Sequence, residues 1–186
     1  MSSAGKVTPL DAGALTDVFD NPSWLARQGA VLGLDIQCTK AAVDLQNLRK
    51  DTSEETIATA LETLRGTAGA DCAALVPLDE AGERFARPTV ARDAASDLDL
   101  DGFIGLNLVE QFPVLASRFE HLKVTEYRDT GEGRAEAARF GELGLRSVLL
   151  LVLHWQQRPA GILLLGRCLI ADTWNVNIHL LLKLIG

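Results

Sequence analysis

Leu143-Gly-Leu-Arg-Ser-Val-Leu-Leu-Leu-Val-Leu-His-Trp-Gln-Gln-Arg-Pro-Ala-Gly-Ile-Leu-Leu-Leu-Gly166 contains two apolar runs separated by a polar break. Residues 148–153 and 162–165 are each of strand length, and Gln156, Gln157, Arg158 and Pro159 between them carry turn chemistry, so the segment reads as a β-hairpin. Neither run alternates with polar residues, which implies burial on both faces and a place in the middle of a sheet covered by helices. Neither approaches the roughly 20 residues that a bilayer span needs. Gly161 falls where a bulge or a close backbone approach is expected.

Around this hairpin, 186 residues with 47% hydrophobic content suffice for one domain with a sizeable core and an appendage. The formal net charge of -7 argues against a nucleic-acid surface, because phosphate binding needs clustered Lys and Arg. Cys38, Cys72 and Cys168 are odd in number and widely spaced, with no Cys-x-x-Cys pair, so neither a disulfide framework nor a zinc site is indicated. The opening Met-Ser-Ser-Ala-Gly-Lys lacks the apolar core of a signal peptide. A reducing cytoplasm is the expected compartment, with no membrane partner.

Residues 1–8 are small and polar and are expected to lack fixed structure. A helix is expected over 11–19, where Leu15, Val18 and Phe19 share a face, and a second begins at Pro22 after the cap Asn21. Val31, Leu34, Cys38, Ala41, Leu45 and Leu48 then follow spacings of three and four, the seam of a bundle-forming helix that Gly33 interrupts. Two readings stay open: the seam folds back on its own domain, or it pairs with a second copy. Thr52 and Glu55 read as a capping box for a further helix bearing Ile57, Leu61 and Leu64. Residues 72–78 and 84–90 read as a hairpin about the turn Asp79 to Gly82. An acidic loop over 92–101, an apolar helix over 106–119 that Pro113 kinks or splits, a strand over 123–127 and a helix from Glu132 and Arg134 to Leu143 complete the middle of the chain. Thr173 is expected to cap a last helix with Trp174, Ile178, Leu181 and Leu182 inward.

The segment Phe140 to Leu145, the pair Arg146-Ser147, the apolar strand, the polar turn, Gly161 to Leu165 and the Trp174-led helix together resemble a GAF domain, a small-molecule-sensing module of signalling proteins. One departure is Val152, where that family commonly has a proline late in the strand. The resemblance spans residues 53–186. It implies an α/β (α+β) fold with a central antiparallel sheet of five or six strands flanked by helices. It divides the chain into a helical extension, 1–50, surplus to one domain and expected to dimerise, and a GAF domain, 51–186. It also implies that the last helix continues into an output domain outside this chain, such as a cyclic-di-GMP synthase or hydrolase or a histidine kinase.

The family's pocket lies between the sheet and the segment matching residues 101–140. The resemblance makes Phe103, Tyr127, Arg128, Asp129, Arg139 and Phe140 the candidate ligand-binding residues, with Phe112 and Leu115 as core or lining. Other chemistry is poorly supported. Asp97 to Gly102 opens like a calcium loop, but the closing glutamate is missing, since position twelve is Leu108. His121, His154 and His179 carry no haem context, and no cysteine stands where bilin-binding relatives attach their chromophore. A thiol-dependent reductase would need Cys72 and Cys168 close together and reactive, whereas both flank apolar runs. The expectation is a non-enzymatic, homodimeric sensory domain with an unknown small-molecule ligand and no assignable cofactor; a ligand-free dimerisation or docking scaffold is the alternative.

Overall fold

A computed structural model describes residues 40–42, 44–45, 52–93, 96, 98–118, 124–128, 133–155, 158–169 and 173–185. The expected elements upstream of residue 40, and the seam positions Val31, Leu34, Cys38 and Leu48, lie outside this set.

Helix α1 (Glu54–Ala68) leads into β1 (Cys72–Pro77) and β2 (Thr89–Arg92). A 3-10 turn (Leu100–Phe103) and two short helices, α2 (Leu108–Gln111) and α3 (Pro113–Arg118), precede β3 (Val124–Tyr127). The chain closes with α4 (Arg134–Glu142), β4 (Ser147–Trp155), β5 (Arg158–Arg167) and α5 (Val176–Ile185). The strands form one antiparallel five-stranded sheet in the order β2-β1-β5-β4-β3. The quoted hairpin is therefore its centre, and both strands run longer than their apolar runs.

Strand alternation sends Leu149, Leu151, Leu163 and Leu165 to one face and Val148, Leu150, Val152, Ile162 and Leu164 to the other, all fully buried. The first face is covered by Leu61 and Leu64 of α1, by Ile178, Leu181 and Leu182 of α5, and by Ala41, Ala42 and Leu45 from the helical residues 40–45. Two positions of the amino-terminal seam, Ala41 and Leu45, are thus spent inside the domain. The second face is covered by α2, α3, α4 and the loops beside them. Each buried leucine or isoleucine contributes about 1.5–3 kcal/mol relative to exposure. Among the described residues no helix is long and apolar enough to cross a membrane.

Local chemistry moves several boundaries. The cap of α1 is Ser53, whose hydroxyl accepts from the Thr56 amide at 3.2 Å, and not the expected Thr52. Glu54 and Glu55 sit in its positive first turn, and Gly69 closes it in the left-handed region. The cap of α5 is Asn175, whose side-chain oxygen accepts from the Asn177 amide at 2.9 Å, where Thr173 was expected. Pro113 splits the expected helix as its ring requires, with Phe112 in a non-helical conformation and Pro113 opening α3. The second strand is shorter than expected because Asp79 draws the chain into a turn, accepting from the amides of Glu83 and Arg84. The Glu83 amide is the main reason the Asp79 carboxyl stays below its ordinary pKa. Arg84 and Phe85 then bridge to Asn107 and Leu78 before β2 starts after Pro88.

Gly161 is a close-approach glycine. A Cβ there would sit 2.5 Å from the Val76 carbonyl oxygen and 2.8 Å from the Pro77 Cα, and the β4–β5 register shifts beside it at Leu153 and His154. Gly161→Ala is expected to destabilise the domain by about 1–3 kcal/mol, since the obstructing atoms are backbone and cannot rotate away. The check is the urea midpoint, which should fall with an unchanged slope.

Candidate functional site

The second face of the sheet is where the candidate residues were expected to converge. Phe103 enters from the 3-10 turn, Phe112 from between α2 and α3, Tyr127 from the end of β3 and Phe140 from α4. Phe103 and Phe112 stack with centroids 6.0 Å apart, Phe112 and Phe140 lie 5.3 Å apart, and Tyr127 and Phe140 5.2 Å apart. Phe85 meets Phe103 and Phe112 edge to face at 5.5 and 5.7 Å. Contacts of this kind add about 0.5–1.5 kcal/mol each beyond the area they bury. All five rings are at most 2% exposed, so the space between sheet and helices is filled by the protein itself.

Three of the six candidates, Phe103, Tyr127 and Phe140, therefore meet. The charged ones do not join them. Arg128 pairs with Glu126, its Nε donating at 2.7 Å, and the other Glu126 oxygen lies 3.7 Å from His179 of α5. Glu126 alternates with Tyr127 along β3, which puts this cluster on the α5 side of the sheet. Arg128 follows β3 and is held in this cluster by its pair with Glu126. Arg139 is exposed on α4. Asp129 lies outside the described residues.

The polar group at the rings is Glu136. It sits on the inward stripe of α4 with Ala137 and Phe140. Its carboxylate accepts from the Val114 amide at 2.5 Å, the Leu115 amide at 3.2 Å and the Tyr127 hydroxyl at 2.6 Å. The first free amides of α3 are thereby satisfied by a side chain of α4. Gly133, in the left-handed region at the start of α4, lets the Tyr127 ring lie where a Cβ would come within 2.9 Å. The sequence signal for Glu136 was its position four residues before Phe140, on the apolar side of a short helix.

A cleft of about 490 Å³ lies at the β2 edge, lined by Val90, Arg92, Leu98, Asp99, Leu100 and Asp101. Leu98 and Leu100 are buried against the aromatic cluster, while Asp99 and Asp101 are exposed. Arg92 donates to the Leu98 carbonyl at 2.7 Å and pins the loop to the strand. Over residues 98–101 the acidic loop is thus a two-residue alternation, with Leu98 and Leu100 inward and Asp99 and Asp101 outward. Asp99 accepts from the Asp101 amide, as a turn cap does. Among the described residues no group of three or more His, Cys, Asp or Glu is arranged to hold a metal ion.

No family model and no curated protein matches the sequence. Solved structures match by shape. The phycocyanobilin-bound GAF domain from a cyanobacterial phytochrome gives a TM-score of 0.59 at 12% identity, covering 80% of this chain and 91% of that one. A biliverdin-bound protein in its far-red-absorbing dark state gives 0.58 at 13%, covering 80% and 93%. The fold is that of a GAF domain. The wild-type chromophore-binding domain of a Stigmatella aurantiaca phytochrome gives 0.55 at 13%, with 80% of this chain covering 56% of that one.

In this GAF fold the two described cysteines stand near one another, Cys72 beginning β1 and Cys168 following β5 beside it. Burial pushes the Cys72 thiol up to about 12, with the neighbouring Cys168 adding to the effect. Cys168 is raised to about 11 by burial and by Asp71, whose carboxylate also accepts from the Cys168 amide at 2.6 Å. Both are protonated at neutral pH, the opposite of the lowered pKa that a thiol nucleophile needs. The folded protein is expected to resist iodoacetamide at neutral pH at both positions and to react after denaturation, read by mass spectrometry. Both thiols hold protons more tightly folded than unfolded, so the stability they contribute is intact below about pH 9 and is lost as the pH rises toward about 12.

Proposed function

We propose that this chain is a sensory or regulatory GAF module that binds a small molecule and passes the result to an output domain, such as a cyclic-di-GMP synthase or hydrolase or a histidine kinase. The observation that carries this reading is the cleft at the β2 edge, whose floor, Leu98 and Leu100, is also the wall of the aromatic cluster. A ligand seated there presses on Phe103 through the same turn, so occupancy outside and packing inside are coupled. The volume lies within the roughly 300–1,000 Å³ range of small-molecule sites. The neighbours bind bilins, which is consistent with this fold serving as a ligand receptor. Phe103, Tyr127 and Phe140 are the interior wall of the proposed sensory site, and the chain is assigned to the cytoplasm on its composition.

For occupancy to control an output, the ligand must bind two arrangements of the domain with different affinity. The terminal helices α1 and α5 both rest on the other face of the same sheet, which gives a packed route between cleft and termini.

A second reading is a dimerisation or docking scaffold with no ligand, favoured by the burial of all five aromatic rings against one another. The division at residue 50 and pairing through the amino-terminal helices belong to this proposal. Val176 and Leu180, exposed at i and i+4 on α5, offer apolar surface for such pairing.

Native mass spectrometry of freshly purified protein, before and after denaturation, separates the two. The sensory reading expects a stoichiometric small molecule to be released, and Asp101→Trp, which places a ring in the cleft from an exposed position of its lining, to abolish its binding with folding retained. Release of nothing, together with a dimer unaffected by Asp101→Trp, would establish the scaffold instead.

A further inference from the structure

β2 is an edge strand: it pairs with β1, and among the described residues no strand pairs with its other side. The Asp93 amide donates to the Asp71 carbonyl at 2.9 Å, and the register runs on from there through Ala91↔Ala73 and Thr89↔Leu75. Alternate residues of an antiparallel ladder turn their N–H and C=O to opposite sides, so Thr89 and Ala91 face β1 while Val90 and Arg92 face outward. Among the described residues no backbone group bonds to that outward row. The same two residues line the cleft. The rest of the lining favours one sign of charge. Leu98 and Leu100 form a buried apolar floor, with Asp99 and Asp101 exposed beside it. Arg92 is the cation of this lining, and its guanidinium is committed to the Leu98 carbonyl. Two carboxylates against one committed guanidinium leave the cleft acidic.

We propose that the outward edge of β2 receives a short extended peptide by antiparallel strand addition, with the peptide's basic side chains in the cleft against Asp99 and Asp101. The proposal rests on the cleft reading above and names the class of its ligand. β2 is four residues long, which at about 3.3 Å per residue suits a guest of about the same length. Guest residues opposite Val90 and Arg92 exchange backbone bonds with them. Because the pleat is shared, those guest residues send their side chains to the cleft face of the sheet. A lysine or arginine stem there lies along Leu98 and Leu100 while its charged head reaches a carboxylate. Main-chain bonds supply the attachment, and the cleft supplies the preference for charge.

The test uses the whole chain and three capped tetrapeptides: lysyl-valyl-lysyl-valine amide, its counterpart with glutamate for lysine, and the lysine peptide methylated on the backbone nitrogens of both lysines. Affinity is read by calorimetry, and occupancy of the edge by amide hydrogen exchange followed by NMR. The lysine peptide is expected to bind at least about tenfold more tightly than either of the others, since one loses the charge match and the other loses two donors. Saturation with it should slow exchange at the Val90 and Arg92 amides at least about fivefold and leave the Ala91 amide, already turned to β1, unchanged. Asp99→Asn combined with Asp101→Asn keeps an acceptor for the Asp101 amide and is expected to bring the lysine and glutamate peptides within about twofold of each other. Val90→Pro removes an outward donor, leaves the bonds to β1 in place and is expected to weaken the lysine peptide at least about fivefold.

Equal binding of the lysine peptide and its methylated form would overturn strand addition, and that comparison uses the native protein, so it stands whether or not Val90→Pro folds. Equal affinity for the lysine and glutamate peptides would overturn the basic class. A non-peptide compound released from the purified protein, with none of the peptides binding, would overturn the peptide assignment while the cleft stands as a small-molecule site.

Discussion

A sheet whose central strands are apolar on both sides has to be covered twice, and the rest of this structure depends on how each covering is held. Val148, Leu150 and Val152 on one side and Leu149 and Leu151 on the other leave no face of β4 for water. Regular helices cover one side, where long amphipathic stripes suit a flat apolar surface. The other side is covered by short helices, turns and rings, which have few backbone bonds of their own.

That asymmetry explains where the fixing interactions are placed. On the regular side Arg167 ties the helix ends together: it donates to the carbonyls of Ala68 and Gly69 at the end of α1, and its guanidinium lies 4.1 Å from the centroid of the Trp174 ring just ahead of α5. A cation there meets both the negative end of α1 and an aromatic face. On the irregular side the fixing group is an anion, Glu136, placed at the positive start of α3. In each case a charge of the right sign sits at a helix end, so helices that share no backbone bonds are held in register with the sheet.

The sequence made the sheet and the regular side legible, and the irregular side much less so, for a physical reason. The hairpin, α1 and α5 show themselves through periodicity, and periodicity is what burial against a sheet imposes on regular elements. The cap positions were off by one or two residues because Thr52 and Ser53, or Thr173 and Asn175, offer equivalent oxygens and only the geometry of the entering chain selects between them. Phe103, Tyr127 and Phe140 entered through the family resemblance, and their rings share one cluster. The pairing of Arg128 with Glu126 was not legible, because two residues so close in sequence meet only where the end of β3 lets both side chains turn to one side. Glu136 was missed because a glutamate on a short helix ordinarily faces water; its meaning depends on the amides of Val114 and Leu115, more than twenty residues away and unreadable from local pattern.

The filled interior and a sensory role are compatible only within limits set by energy. Five buried rings in mutual contact and a satisfied carboxylate make the closed state a well-packed one, and any ligand that enters must offset the contacts it displaces, its apparent affinity falling in proportion to the population of the open form. That cost falls unequally on different molecules. A guest that restores both the stacking and the hydrogen bonds to Glu136 recovers most of it, whereas one that restores only the apolar contact leaves a buried charge under-bonded.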